Sequence, residues 1–170
     1  MNIFVLDTNP ILAARMMCDK HVVRMPLESA QMLCTIAREL RYEEAYMYKS
    51  VHLNHPCTRW AAANAANWAW LCKHGLALCQ EYTKRYGREH KCKDIIRMIY
   101  RYRMGPKGII PLTPRSPFVQ AMPDKYKQKD PVKAYRAYYL GEKKRFAKWT
   151  HRKPPSWWKI QYDKGGNPKL

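Results

Sequence analysis

The sequence predicts an all-α protein built as a single domain, and three observations carry that reading. Apolar residues recur at helical spacing over about residues 20–38, 57–86 and 91–104. Asn9-Pro10, Asn54-His55-Pro56 and Asp130-Pro131 each place proline beside a polar residue, the pattern of a helix start. The 170 residues, 46% hydrophobic and 12% aromatic, suffice for one real core, and no internal repeat divides them.

In chain order, Asn2 to Leu6 reads as a short extended segment, and Asn9 and Pro10 open a short helix to about Met17. Asp19 is expected to cap a longer helix running to about Leu40, with Pro26 inside it. That proline lacks a backbone donor and predicts a kink that would re-aim Glu28. After a polar loop, one continuous helix is expected from about Cys57 to Tyr86. Trp60, Trp68, Leu71, Leu78 and Tyr82 form its apolar face, and Asn64 falls in the same arc and would need a partner if buried. Gly75 weakens that helix locally and Gly87 stops it. A third amphipathic helix, about Lys91 to Met104, turns Ile95, Ile96 and Ile99 inward and Arg97, Arg101 and Arg103 outward. Residues 105–130 carry five prolines without helical period, so they predict a long loop, open to a role in lining a site. A last helix is expected from Asp130-Pro131 to about Trp149, closing a domain at residue 152, with 153–170 a basic, poorly packed tail.

Charge narrows the partner. The formal net charge is +19, divided as +3 over residues 1–85 and +16 over residues 86–170. So large an excess of one sign favours a polyanion, with nucleic acid ahead of an anionic membrane. No apolar run reaches the roughly 18 residues of a membrane span. The start lacks a basic region and its apolar run breaks at Asp7, so it does not read as a signal peptide. An intracellular place is expected, in the cytoplasm, nucleoid or host-cell cytoplasm, with the six cysteines reduced. Cys18-x-x-His21 and His52-x-x-His55-x-Cys57 have tolerable ligand spacing, but without a paired Cys-x-x-Cys the expectation is no metal. The absence of a glycine-rich phosphate loop, a nucleophile elbow and a dinucleotide fingerprint predicts no nucleotide cofactor.

The chemistry concentrates on the helix at 20–38. Lys20, His21, Arg24, Glu28, Gln31, Thr35 and Arg38 fall within roughly 100° of arc. One carboxylate among cations, an imidazole and an amide is a set able to polarise a reacting centre and hold a phosphate. Met1 supplies a chain-terminal amine nearby in sequence, and the bulk of Asn2 should keep Met1 in place. Such amines ordinarily titrate near 7.7–8.0, so roughly a tenth or more is free base at neutral pH. Trp157 and Trp158 follow Pro154-Pro155 among Arg152, Lys153 and Lys159, which suits base stacking and phosphate contact or, equally, capping of the core.

These residues also carry a resemblance. Asp19-Lys20-His21, with Glu28 seven residues after the histidine, resembles the Asp-x-His-(x6)-Glu element of the pyrimidine-dimer DNA glycosylases, the endonuclease V type. His55-Pro56, Arg59-Trp60, His74, Leu76, Glu81, Arg85-Tyr86 and His90 are similar to a second pattern of its bacterial members. Met1-Asn2-Ile3-Phe4 is similar to their Met-Arg-Ile-Trp opening, and the whole resemblance spans about residues 1–92. It implies a compact all-α fold in which a terminal α-amine attacks the deoxyribose C1′, forms an imine and releases the base, after which elimination can nick the strand. Carried over, Met1 is the nucleophile, Glu28 holds the amine and moves the proton, and His21 orients Glu28 or contacts phosphate. Double-stranded DNA is the implied partner, bound by a monomer without metal or cofactor. Asn2, Lys20, Arg24, Gln31, His55 and Arg59 would line its path. In the basic second half Arg136, Lys143, Lys144, Trp157 and Trp158 would hold the distorted backbone of a duplex with a flipped base. Two positions depart: Leu27 and Asn2 stand where the family has arginine. Two other readings stay open, a phage-type transferase acting on thymine or modified thymine in DNA on the same scaffold, and a non-catalytic nucleic-acid binder.

Overall fold

The computed structural model describes residues 1–102 and 110–158. They form α1 (Pro10–Met16), α2 (Asp19–Glu39), α3 (Pro56–Ala62), α4 (Ala65–Tyr86), α5 (Cys92–Tyr102) and α6 (Pro131–Lys143), with a single 3-10 turn at Asp124–Tyr126. Among the described residues there is no strand. The predicted starts hold for a local reason. Asn9 accepts from the backbone N–H groups of Ile11 and Leu12, Asp130 from those of Val132 and Lys133, and the His55 ring from that of Cys57. Gly87, at φ +68°, ends α4 in the left-handed conformation that glycine adopts without a Cβ penalty.

Four expectations need correction. The helix expected over 57–86 is two helices, because the Asn64 side chain caps a new start by accepting from the Asn67 N–H. Asn67 fixes the break, donating to the Trp60 carbonyl and to Ser116 Oγ, both at 2.7 Å. Asp19 is the first residue of α2 rather than its cap, which is Cys18, and its carboxylate is engaged elsewhere. The last helix stops at Lys143 instead of Trp149. Beyond it the chain turns back over the start of α2, where the Lys148 carbonyl accepts from the Asp19 N–H and Trp149 Nε1 donates to the Met16 carbonyl. Finally, the tail is packed as far as Trp158: Trp157 and Trp158 both meet the Tyr139 ring edge to face, and Trp157 Nε1 donates to Met16 Sδ. Those rings are half-buried in the protein's own packing, which supports core capping over base stacking. Arg103, Met104 and Lys159 lie outside the described residues.

α2 and α4 pack along each other at the centre, α1 rests on α4, and α5 bridges both long helices. Leu33, Ile36, Leu71, Leu78, Ile96 and Ile99 fill the space between them and are essentially solvent-free. α2 passes through Pro26 as one helix. A polar clamp ties its start to α4 and the C-terminal segment. Arg85, only 3% exposed, pairs with Asp19 at 2.9 Å and Glu81 at 3.3 Å. Arg152 closes on Glu81, and Thr150 donates to Asp19 through its backbone and its hydroxyl.

The described part of the proline-rich stretch, residues 110–130, is a strap rather than a free linker. Its Pro111 carbonyl accepts from Ala65 N–H, its Pro117 carbonyl from Trp60 Nε1, and its Val119 carbonyl from the buried Tyr135 hydroxyl. It reaches the chain start at Ala121, whose carbonyl accepts from Asn2 Nδ2 at 2.7 Å.

Candidate functional site

α2 presents Glu28 inward while the N-terminal segment runs across it. Ile3, Phe4, Val5 and Leu6 are buried, which carries the chain start into the protein instead of into solvent. The Met1 amine lies 3.6 Å from Glu28 Oε2, and the Asn2 N–H donates to the same oxygen at 2.9 Å. The other oxygen accepts from Arg24 Nε at 2.8 Å. Glu28 is 7% exposed, whereas the Arg24 side chain is 76% exposed. A buried carboxylate thus faces an amine on one side and an outward guanidinium on the other.

His21 is placed otherwise than expected. It makes no hydrogen bond to Glu28; its Nδ1 lies 2.7 Å from the Tyr139 hydroxyl, and its ring stacks on Phe4 at 4.4 Å. Burial first, then the cations Lys143 and Arg24, lower its pKa to about 3. The imidazole is therefore neutral at physiological pH and supplies no cation to a phosphate. It packs against Phe4, whose backbone sits at a strained φ of +35°.

The remaining predicted residues divide in two. Arg24 and Arg59 are exposed, Gln31, His55 and Lys144 are half-buried, and Lys20 is exposed with Nζ 4.9 Å over the Phe146 ring. His55 is close enough to feel the site. Its pKa is lowered by burial first and then by the terminal ammonium, with Glu28 acting in the opposite sense. Arg136, by contrast, is turned inward, donating from Nε to the Leu6 carbonyl at 2.9 Å with Asp7 at 3.6 Å. Lys143 leans on aromatic faces, 4.6 Å from Tyr138 and 5.6 Å from Phe4. Asn2 offers no side chain to a phosphate, because both its amide atoms are bonded inside the protein. The far end of the stripe serves the fold: Thr35 pairs with Val51, and Arg38 holds the carbonyls of Met47 and Tyr48 and the Glu43 carboxylate.

Sequence reasoning gave no role to Phe4 and passed over Thr58, whose hydroxyl lies 3.7 Å from Met1 Sδ. Thr58 belongs to no stripe or motif, Phe4 entered only as part of the opening Met1-Asn2-Ile3-Phe4, and only the folded chain sets Thr58 against the Met1 side chain and Phe4 against His21. The six cysteines are buried free thiols, and among the described residues no three His, Cys, Asp or Glu side chains converge into a metal-ligand group. No helix of the described residues is long and apolar enough to cross a membrane.

A family model described as pyrimidine dimer DNA glycosylase matches residues 1–94, the stretch that holds the amine, Glu28 and the four helices α1–α4. The chain belongs to this family. Searches of curated proteins and of solved structures gave no match. Membership supports a DNA-acting glycosylase in general, in keeping with the net charge of +19. In this glycosylase-family chain the matched stretch ends inside α5. The strap, α6 and the returning C-terminal segment lie beyond it, yet they contact the matched residues Asn2, Asp19 and His21 directly.

Proposed function

We propose that the protein is a DNA glycosylase whose nucleophile is the α-amine of Met1 and whose acid–base group is Glu28. The observation that carries this is the Met1 amine 3.6 Å from the buried Glu28 carboxylate, set in a strongly basic protein of a DNA-acting family. A terminus far from Glu28 would have favoured the transferase or the plain binder; an amine held beside that carboxylate favours the covalent route.

The target is a nucleotide flipped from double-stranded DNA, since C1′ is out of reach within the stack. The free amine nitrogen bonds to C1′ while the C1′–N bond to the base breaks, and the base leaves with that electron pair and takes up a proton. The sugar ring then opens at O4′ to an iminium, its positive charge facing Glu28. Loss of a proton from C2′ to the carboxylate expels the 3′ phosphate by β-elimination, and water hydrolyses the imine to return the amine. Arg24 fixes Glu28 from the open side. Lys20, Arg24, Arg59 and Lys144 supply backbone contacts that position the duplex without reading its sequence.

The test is a labelled duplex carrying a single pyrimidine dimer or abasic site, incubated with the protein and resolved on a denaturing gel. A strand break that needs the protein is expected at the marked nucleotide of either duplex, or on the dimer duplex a new alkali-labile site. Salt-sensitive binding with no product on any such duplex would overturn the glycosylase reading.

A further inference from the structure

We propose that Asn2 is a positioning residue of this reaction, holding the Met1 amine against Glu28 through three side-chain hydrogen bonds. The inference rests on the glycosylase reading above. Asn2 Oδ1 accepts from the N–H of Ile3 at 2.7 Å and of Phe4 at 3.0 Å, folding the first residues into a tight turn. Nδ2 donates to the Ala121 carbonyl at 2.7 Å, so the turn is tied to the strap. The strap is itself anchored there, because the Tyr135 hydroxyl donates to the Val119 carbonyl and accepts from the Ala121 N–H. The backbone N–H of Asn2 then completes the frame on Glu28 Oε2.

This arrangement needs an amide of this length. Aspartate keeps the two acceptor bonds but lacks the donor for Ala121, and leucine lacks all three. The turn is strained as well, since Phe4 sits at φ +35°, a conformation unfavourable for a residue with a bulky side chain. The Oδ1 bond to the Phe4 N–H and the His21 stack hold it there. Without Asn2 the turn relaxes toward ordinary backbone, and the nitrogen one residue earlier moves with it. A displacement near 1 Å of a reacting atom costs on the order of 10²-fold in rate.

The experiment compares the wild type with Asn2→Leu and Asn2→Asp, both bulky enough at the second position to keep Met1, which mass spectrometry of the intact chain verifies. Three quantities are measured: the single-turnover rate of borohydride-trapped adduct on an abasic duplex, the Kd for that duplex, and the rate at which a small activated acetate ester acylates the terminal amine. Asn2→Leu should trap at least about tenfold more slowly with Kd within about twofold, and its amine should acylate faster as it leaves the carboxylate. Asn2→Asp should recover part of the trapping rate. Unchanged trapping in Asn2→Leu, or a weakened Kd with an unchanged rate, overturns the proposal; the second result would make Asn2 a DNA contact. Should Asn2→Leu fail to fold, Asn2→Asp decides, since wild-type values for it in both rates exclude a positioning role. If the wild type itself forms no adduct, the glycosylase reading fails, while the acylation rates still show whether Asn2 holds the amine.

Discussion

Replacing Glu28 by glutamine changes the site by one charge and little else. The amide oxygen still accepts from the Asn2 N–H, while the amide nitrogen confronts Arg24 Nε, whose bond at 2.8 Å is lost. Arg24 is largely exposed and can swing into water, so the fold should be nearly indifferent. The reaction should not be. The nitrogen 3.6 Å from the carboxylate is neutral when it attacks and becomes cationic in the iminium. A unit charge pair at 3.6 Å interacts by about 4–5 kcal/mol at an effective dielectric near 20. Arg24 already balances part of the carboxylate, which brings the loss toward about 3–4 kcal/mol, or roughly 10²–10³ in rate. The assay is single-turnover borohydride trapping and strand cleavage on an abasic duplex, with Kd measured separately. Glu28→Gln that traps and nicks as fast as the wild type would refute the assigned role.

Other expectations follow from the same geometry. His21 and the wholly buried His74 both have pKa values lowered to about 3, through burial first, against the ordinary 6.5 of an unfolded chain. The unfolded state therefore takes up protons that the native state refuses. Stability held above pH 6.5 falls as pH drops toward 3, by up to about 1.4 kcal/mol per pH unit for each histidine. Urea midpoints between pH 8 and 4 should show this, and His74→Phe, which preserves the stack on Trp70, should flatten the slope by one proton. Arg85→Met should cost about 3 kcal/mol in urea unfolding, near the lower end for breaking a buried pair, because Thr150 and Arg152 still satisfy Asp19 and Glu81. A loss under about 1 kcal/mol would make the clamp dispensable. Arg59→Gln should weaken binding to every duplex alike and reduce the salt slope by about 1, and an unchanged slope would remove Arg59 from the interface.

Elements whose cause is local were legible in the sequence. The starts at Asn9, His55 and Asp130 and the stop at Gly87 each follow from one side chain acting within its own turn. The break at Asn64 was not, because it depends on Asn67 reaching Ser116 across 49 positions. The last helix ends early for a comparable reason, since residues after Lys143 gain partners at the start of α2. In the site, helical spacing alone brought Glu28 and Arg24 together. It could not separate Glu28 from Thr35 and Arg38, which share its arc but bond to the following loop. The neutral state of His21 was hidden too, because it follows from rings of Phe4, Tyr139 and Phe146 contributed by the chain start and residues 139–146. Arginine content likewise misled at Arg136, which faces its own backbone.

The central claim is that the Met1 nitrogen is the atom that bonds to DNA. Borohydride reduction during turnover freezes the imine, and digestion followed by mass spectrometry locates the attached sugar. The account predicts the mass on the peptide that begins at Met1, carried by the α-amine, and its loss when the terminus is acetylated beforehand. An adduct on a lysine such as Lys20 or Lys143, or trapping that survives acetylation of the terminus, would contradict it.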